Sequence, residues 1–412
     1  MPDFVTTTYL ILMFIALYFF FFYIFLIIRN KHKIFSYPEP ERNYPVTVLI
    51  AGYNEEKTIA DTVKHVFDSD YQAIKEVIII NDGSTDNTKN IVKKLIKTYP
   101  KLKLINNKKN IGKSESLNRG IAVAKGQLIA VIDADSYPEK ESIRKLVGFF
   151  NDPKVGAATS AVFIRNKQTF LAKIQQIEYI VLAWTRKLLD FIDAVYVTNG
   201  PLSMYRKSGL KKVGGFDPNT VTEDIDVTWN LMKHGYKTKM CLSAFVTTTA
   251  PSKFKQWWRQ RERWGIGGIQ AIFKYKKTFM KKGMLGFFVI PFVSLSIILS
   301  VGVFLFGMYL LTRKFILTYL STKYSYISGS PIFRLQDINL HPSILIFFTA
   351  VLFVTAFIYS RYILTTLGKQ KGEWDEVRNL FKRLFYLLIY LTLYPLIWFS
   401  SFYRMIKGDY RW

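Results

Sequence analysis

The distribution of apolar residues divides the chain into three stretches. Residues 6–28 read TTTYLILMFIALYFFFFYIFLII without a charged side chain. At ~1.5 Å per residue such a helix is about 34 Å long, enough to cross a hydrocarbon core of ~30 Å. The run is too long for a secretory signal, and no small-residue cleavage site follows it. Only Asp3 precedes it, whereas Arg29, Lys31, His32 and Lys33 follow. The positive-inside rule therefore sets the N-terminus outside and the next stretch in the cytoplasm.

From residue 45 to 250 the rhythm becomes that of an α/β unit. Continuous apolar runs at 46–53, 76–82 and 128–135 predict buried parallel strands, because strands covered on both faces need no alternation. Amphipathic stretches at 55–67 and 85–97 predict the helices between them. This alternation predicts a doubly wound sheet whose ligands gather at the strand C-termini, where Asp82 and Asp133 each end a run.

After Pro251 the segment KFKQWWRQRERWGIGG is too charged to span and predicts an amphipathic helix on the membrane surface. Apolar blocks at 284–311, 343–365 and 384–402 then bring the expected spans to about four. The expected divisions are an anchor at 1–33, an α/β domain at 45–250, interfacial helices at 251–283 and a membrane region at 284–412. Lys369, Lys371, Arg378, Lys382 and Arg383 mark the link before the last block as cytoplasmic. Four spans put the C-terminus outside, yet Arg404, Lys407 and Arg411 are basic. Either Pro395 breaks the last block into a re-entrant piece, or charge bias does not govern that end.

Composition narrows the function. Fifty-seven Lys and Arg against 30 Asp and Glu give a net charge of +27, which calls for an anionic partner. Much of this charge flanks the apolar blocks, as membrane anchoring requires and nucleic-acid binding does not. The single Cys241 excludes an internal disulfide framework and a cysteine-based zinc site, and His32, His65, His234 and His341 have no metal-ligand spacing.

Four short signals recur in order. Asp82 stands in Asn-Asp-Gly-Ser after a strand, a sequence that by itself makes a turn. Asp133-Ala134-Asp135 puts two carboxylates at another strand end, where they can share Mg²⁺ or Mn²⁺ and leave positions for water and phosphate. Thr222-Glu223-Asp224 opens a helix, a place where acids are favoured electrostatically without any function. Gln260-Arg261-Glu262-Arg263-Trp264 closes the series on the basic aromatic helix. Each is weak alone; together on a membrane-fastened α/β unit they are not accidental.

The order D, DxD, TED, QxxRW resembles that of the membrane-embedded, inverting family 2 glycosyltransferases, which include the cellulose, chitin, hyaluronan and poly-N-acetylglucosamine synthases. Further matches are Ala51-Gly52-Tyr53-Asn54-Glu55, Gly112-Lys113 with Leu117-Asn118-Arg119-Gly120, and Gly200-Pro201-Leu202. The resemblance implies a Rossmann-like GT-A domain and a UDP-sugar donor. It implies that Ala51, Tyr53, Glu55 and Asp82 hold base and ribose, and that Lys113, Asp133, Gln260 and Arg263 serve the diphosphate. Asp133 and Asp135 become the ligands of Mg²⁺ or Mn²⁺. Gly200, Pro201, Glu223 and Trp264 fall to the acceptor, and Asp224 is the expected base.

The acceptor is expected to be a growing glycan or a lipid, and membrane lipids the surroundings; nucleic acid is not an expected partner. Two outcomes stay open: a processive synthase of a β-linked polymer, or a transferase adding one or a few sugars to a lipid head group. About four spans make a thin wall for a polymer channel, and Thr247-Thr248-Thr249-Ala250-Pro251 lacks the acid that synthases commonly carry before that proline. A phosphate loop of the NTPase kind is excluded, because Asn107 stands where that motif needs glycine. A purely structural or channel protein leaves the four signals unexplained.

Overall fold

The computed structural model describes residues 3–281, 283–329, 344–373 and 378–409. His341 and Arg411 lie outside the described residues. Strands β1 (Val46–Gly52), β2 (Ile74–Asn81), β3 (Leu102–Asn106), β4 (Leu128–Val131), β5 (Ser136–Pro138), β6 (Val155–Ile164), β7 (Ser203–Arg206) and β8 (Lys237–Thr248) form one sheet in the order β3-β2-β1-β4-β7-β6-β8-β5. β1 runs parallel to β2 and β4, and β2 to β3. This half is the parallel sheet that the apolar runs predict.

The other half is mixed: β7 pairs antiparallel with β4 and β6, β5 antiparallel with β8, and β6 runs parallel to β8. The third apolar run is also cut short. β4 ends at Val131; Ile132 still donates to Leu49 O at 3.0 Å, and then Ser136 N bonds Asp133 O at 3.0 Å. Asp133 and Asp135 therefore stand on a tight turn, outside the strand.

Alternate residues of β1 feed opposite cores. Val48 and Ile50 pack with Val63 and Val66 of α2 (Ile59–Phe67) and Val92 of α3 (Thr88–Thr98). Leu49 packs with Leu117 and Ile121 of α4 (Lys113–Val123) and with Val227 and Leu231 of α8 (Glu223–Lys233). Both faces of the strand are dry, so its run is uninterrupted in sequence.

A third core joins this unit to the apolar helices. α1 (Phe4–Asn30) contributes Leu26 and Ile27, α6 (Phe170–Asp190) contributes Ile174, Ile177 and Trp184, α9 (Phe254–Tyr275) contributes Trp257, and α11 (Ile344–Lys371) contributes Ile363 and Leu364. Among the described residues, four helical segments are long and apolar enough to cross a membrane: Phe4–Lys33, Leu285–Ile327, Phe347–Lys371 and Leu380–Lys407. The second extends well beyond the predicted block, because α10 (Ile290–Ile327) carries on through Arg313, Lys314 and Lys323. The last is interrupted upstream of Pro395, by a π-turn at Tyr386–Tyr390; Pro395 sits in the first turn of Leu393–Lys407, where its missing N–H is harmless.

Candidate active site

The carboxylates converge. A cavity of about 450 Å³ is lined by Lys113, Asp133, Asp135, Glu223 and Asp224 at one end, and by Gln260, Arg263 and Trp264 from α9. It continues between Phe292 and Ile297 of α10 and Tyr394 and Trp398 of the final helix, so its far end belongs to the membrane segments. Gly200 and Pro201 also line it.

Lys113 is the hub of the polar end. Its ammonium lies 2.6 Å from Asp133 Oδ1 and 2.6 Å from Glu223 Oε1. Those two carboxylates raise its pKa against the opposing effect of burial. Asp82 places it. Asp82 Oδ1 accepts from Asn107 Nδ2 at 2.9 Å and Ile111 N at 3.0 Å, and Oδ2 accepts from Gly112 N at 2.9 Å. The carboxylate thus caps the loop at the start of α4, where helix and loop N–H groups favour an anion. Gly112 adopts φ +90°, a left-handed conformation that glycine takes without strain.

Asp133 rests on a backbone with no side chain. A Cβ built on Gly200 falls 2.5 Å from Asp133 Oδ2. Asp135 faces the cavity beside β5, with its Oδ1 accepting from Ser136 Oγ at 3.3 Å and Thr248 Oγ1 at 3.4 Å. Burial first, then the charges of Asp133 and Glu55, push its pKa up to about 7. Glu55, hydrogen-bonded by Thr58 at 2.5 Å, is itself raised, chiefly by burial and also by Asp133.

This excess of buried negative charge suits a hard divalent cation. Two carboxylates plus water and phosphate oxygens satisfy the octahedral preference of Mg²⁺ or Mn²⁺. Among the described residues, no group of three His, Cys, Asp or Glu side chains is close enough to hold a metal alone. Asp133 and Asp135 would hold it, and oxygens from a ligand would complete its shell.

Glu223 and Asp224 occupy the first turn of α8, as the sequence predicts. Lys113 and Arg263 lower the Glu223 pKa against its burial. Asp224 moves the other way, pushed up to about 6 by burial and by the charge of Glu223. Of this pair, the ion-paired Glu223 stays charged more firmly, and Asp224 is the acid better able to exchange a proton. Arg263 reaches Val221 O at 3.5 Å, and Gln260 accepts from Arg261 Nη1 at 2.6 Å.

α9 is more deeply packed than a surface helix. Its Trp257 and Arg261 are buried against Tyr390 and against Glu178 of α6, Glu262 accepts from Ser400 of the last helix, and Gly267 admits the Thr222 side chain where a Cβ would overlap it. Four of the predicted residues, Ala51, Tyr53, Glu55 and Asp82, lie outside the cavity lining. Tyr53 is exposed, and Ala51 pairs with Ile80 in the β1–β2 ladder.

Sequence reading missed Glu178, Arg186 and Asn199. Arg186 and Asn199 line the cavity, with Arg186 Nη1 3.3 Å from Asn199 Oδ1. The available signal was a single acid, Glu178, in the apolar stretch Ile177 to Trp184.

The sequence profile described as "Glycosyltransferase like family 2" matches residues 43–267. The chain belongs to this family. The eight strands and the part of α9 that bears Gln260 and Trp264 fall within the matched region. A poly-beta-1,6-N-acetyl-D-glucosamine synthase of Staphylococcus aureus (strain COL) is 34% identical over 262 residues, 63% of each chain. The synthase of the same description from Staphylococcus epidermidis is 32% identical over 312 residues, 75% of this chain and 74% of the relative. The chain thus spans somewhat under two thirds of the S. aureus relative it matches. In fold, this family 2 chain is similar to a mannosyltransferase from Pyrobaculum calidifontis in complex with GDP-Man and Mn²⁺, with a TM-score of 0.59 at 16% identity over 97% of this chain and 99% of that one. The α/β unit has the GT-A-like glycosyltransferase fold.

Proposed function

We propose that this protein transfers a hexose, with inversion, from a UDP-sugar to a membrane-associated acceptor, and extends a β-linked polysaccharide processively. One observation carries this reading: the two aspartates of the DxD turn, the Glu223–Asp224 pair and the Gln260–Trp264 helix share one cavity that runs toward the membrane helices.

The donor diphosphate lies at the Lys113 end, with base and ribose toward Ala51, Tyr53, Glu55 and Asp82. A divalent cation held by Asp133 and Asp135 would supply Lewis-acid neutralisation of the leaving diphosphate. Arg263 offers the diphosphate a planar set of donors, and Gln260 steadies it. Asp224 takes the proton of the acceptor hydroxyl as that oxygen attacks the anomeric carbon and UDP departs. Trp264 presents an indole face to the acceptor ring, beside Gly200, Pro201 and Glu223.

The catalytic unit faces the cytoplasm, in keeping with Arg29, Lys31, His32 and Lys33 at the end of α1 next to it. The synthase relatives favour a polymer as product. The apolar wall of Phe292, Val293 and Ile297 supports a second reading, a lipid-borne acceptor receiving one or a few sugars. Product sizing decides between them: membranes given labelled UDP-N-acetylglucosamine, UDP-glucose or UDP-galactose yield a ladder of long chains for the first reading and one organic-soluble species for the second. No transfer from any UDP-sugar overturns both.

A further inference from the structure

We propose that the buried Arg261–Glu178 pair is a positioning device for the acceptor, holding Trp264 and Gln260 in register and tying both to the last membrane helix. This rests on the reading of Trp264 as the acceptor platform.

The Arg261 side chain is fully buried and that of Glu178 is 3% exposed. Every face of the guanidinium is engaged. Nη2 lies 2.5 Å from Glu178 Oε2, and Nε donates to Oε1 at 3.2 Å. Nη1 donates to Gln260 Oε1 at 2.6 Å. The plane stacks 3.9 Å from the centre of the Trp264 ring. One residue at a variable position of the QxxRW signature thus grips the first and last side chains of it. Only a planar, multiply donating cation does this; an ammonium has neither the fork nor the stacking face.

Glu178 is held as firmly from the opposite side. Tyr390 donates to Oε2 at 2.6 Å and accepts from Trp257 Nε1 at 2.6 Å. Tyr394 donates to Oε1. The two tyrosines come from the final membrane segment, Glu178 from α6 and Arg261 from α9. A buried ion pair is a poor source of stability, since removing charges from water offsets most of its attraction. Its worth here is geometric: it fixes the face of Trp264 that closes the cavity, relative to the helix that forms the cavity's far wall.

The test uses full-length protein in lipid nanodiscs, with UDP-N-acetylglucosamine as donor and a β-linked N-acetylglucosamine tetramer as acceptor. Arg261→Lys is expected to raise the acceptor KM, and its Kd measured by titration in the presence of UDP, about 10-fold, while donor KM and acceptor-free donor hydrolysis, which feel the change only through Gln260, worsen by no more than about 3-fold. Tyr390→Phe keeps the ring and the ion pair, removes one donor to Glu178, and is expected to give a smaller shift of about 2–5-fold in the same two quantities. Unchanged acceptor KM and Kd in both variants overturns the proposal. So does a parallel loss of donor hydrolysis, which marks general disruption. If the parent transfers nothing, the hexosyltransferase reading fails while the titration still judges Arg261. If the parent does not bind the tetramer at all, the platform role of Trp264 falls and this proposal with it.

Discussion

Lys113 lies 2.6 Å from Glu223 Oε1, and this contact joins two signals that are 110 positions apart in the chain. The same ammonium holds Asp133, so a single cation stands between the DxD turn and the acidic helix start. Lys113→Met removes that charge and leaves the buried Glu223 and the half-buried Asp133 without their shared cation. The expected outcome is a donor KM raised about 10-fold or more together with a fall in kcat, measured by UDP release. An unchanged donor KM removes Lys113 from the diphosphate.

Asp224 gives a mutational and a pH test. Asp224→Asn is expected to lower kcat by about 10²–10⁴-fold while UDP binding by titration stays within a few-fold. A base in the proposed role works as the carboxylate, and the pKa of Asp224 is pushed up to about 6 by burial and Glu223. Turnover is therefore present above pH 6 and lost as the pH falls through it, about tenfold per unit below. A kcat that is flat from pH 8 to 5 contradicts the role of Asp224 as base.

The carboxylate pair on the β4–β5 turn predicts metal dependence. Chelation with EDTA is expected to abolish transfer, and added Mn²⁺ or Mg²⁺ to restore it. Asp135→Asn is expected to weaken Mn²⁺ binding in the presence of UDP by about 10-fold or more, read by titration calorimetry. Full activity in EDTA rejects this assignment.

Gly200 supplies a purely steric test. A methyl group there falls 2.5 Å from Asp133 Oδ2, so the carboxylate or the 199–201 backbone has to move. Gly200→Ala is expected to reduce kcat/KM about 10-fold or more, because a 1 Å displacement of a positioned group is costly to catalysis. Thermal unfolding of the variant within a few degrees of the parent separates this from loss of the fold.

The legible parts of the sequence were those where one local rule decides. β1 and β2 are dry on both faces and read as continuous apolar runs. Thr222-Glu223-Asp224 opens a helix because acids there meet exposed N–H groups. The antiparallel insertion of β7 between β4 and β6 was not legible, since strand order is set by long-range pairing that leaves no periodic trace. The β4 run misled, because Ile132 and Ala134 are as buried as strand residues while lying on a turn. Glu178 was passed over for the same reason in reverse: its partners Arg261, Tyr390 and Tyr394 lie 83 or more positions away, and no short motif contains them.

The length of α10 has an outcome of its own. Tyr309 packs edge-on against Phe4, the first residue of α1, yet α10 runs on to Ile327. At ~1.5 Å per residue that leaves about 27 Å of helix standing clear of the neighbouring helix end, with Arg313, Lys314 and Lys323 along it. A bilayer fitted to α1 has no room for this pillar, which must project from the face remote from the sheet. Trypsin added to sealed vesicles from one side should clip it there and spare Arg144 and Lys145 on the other.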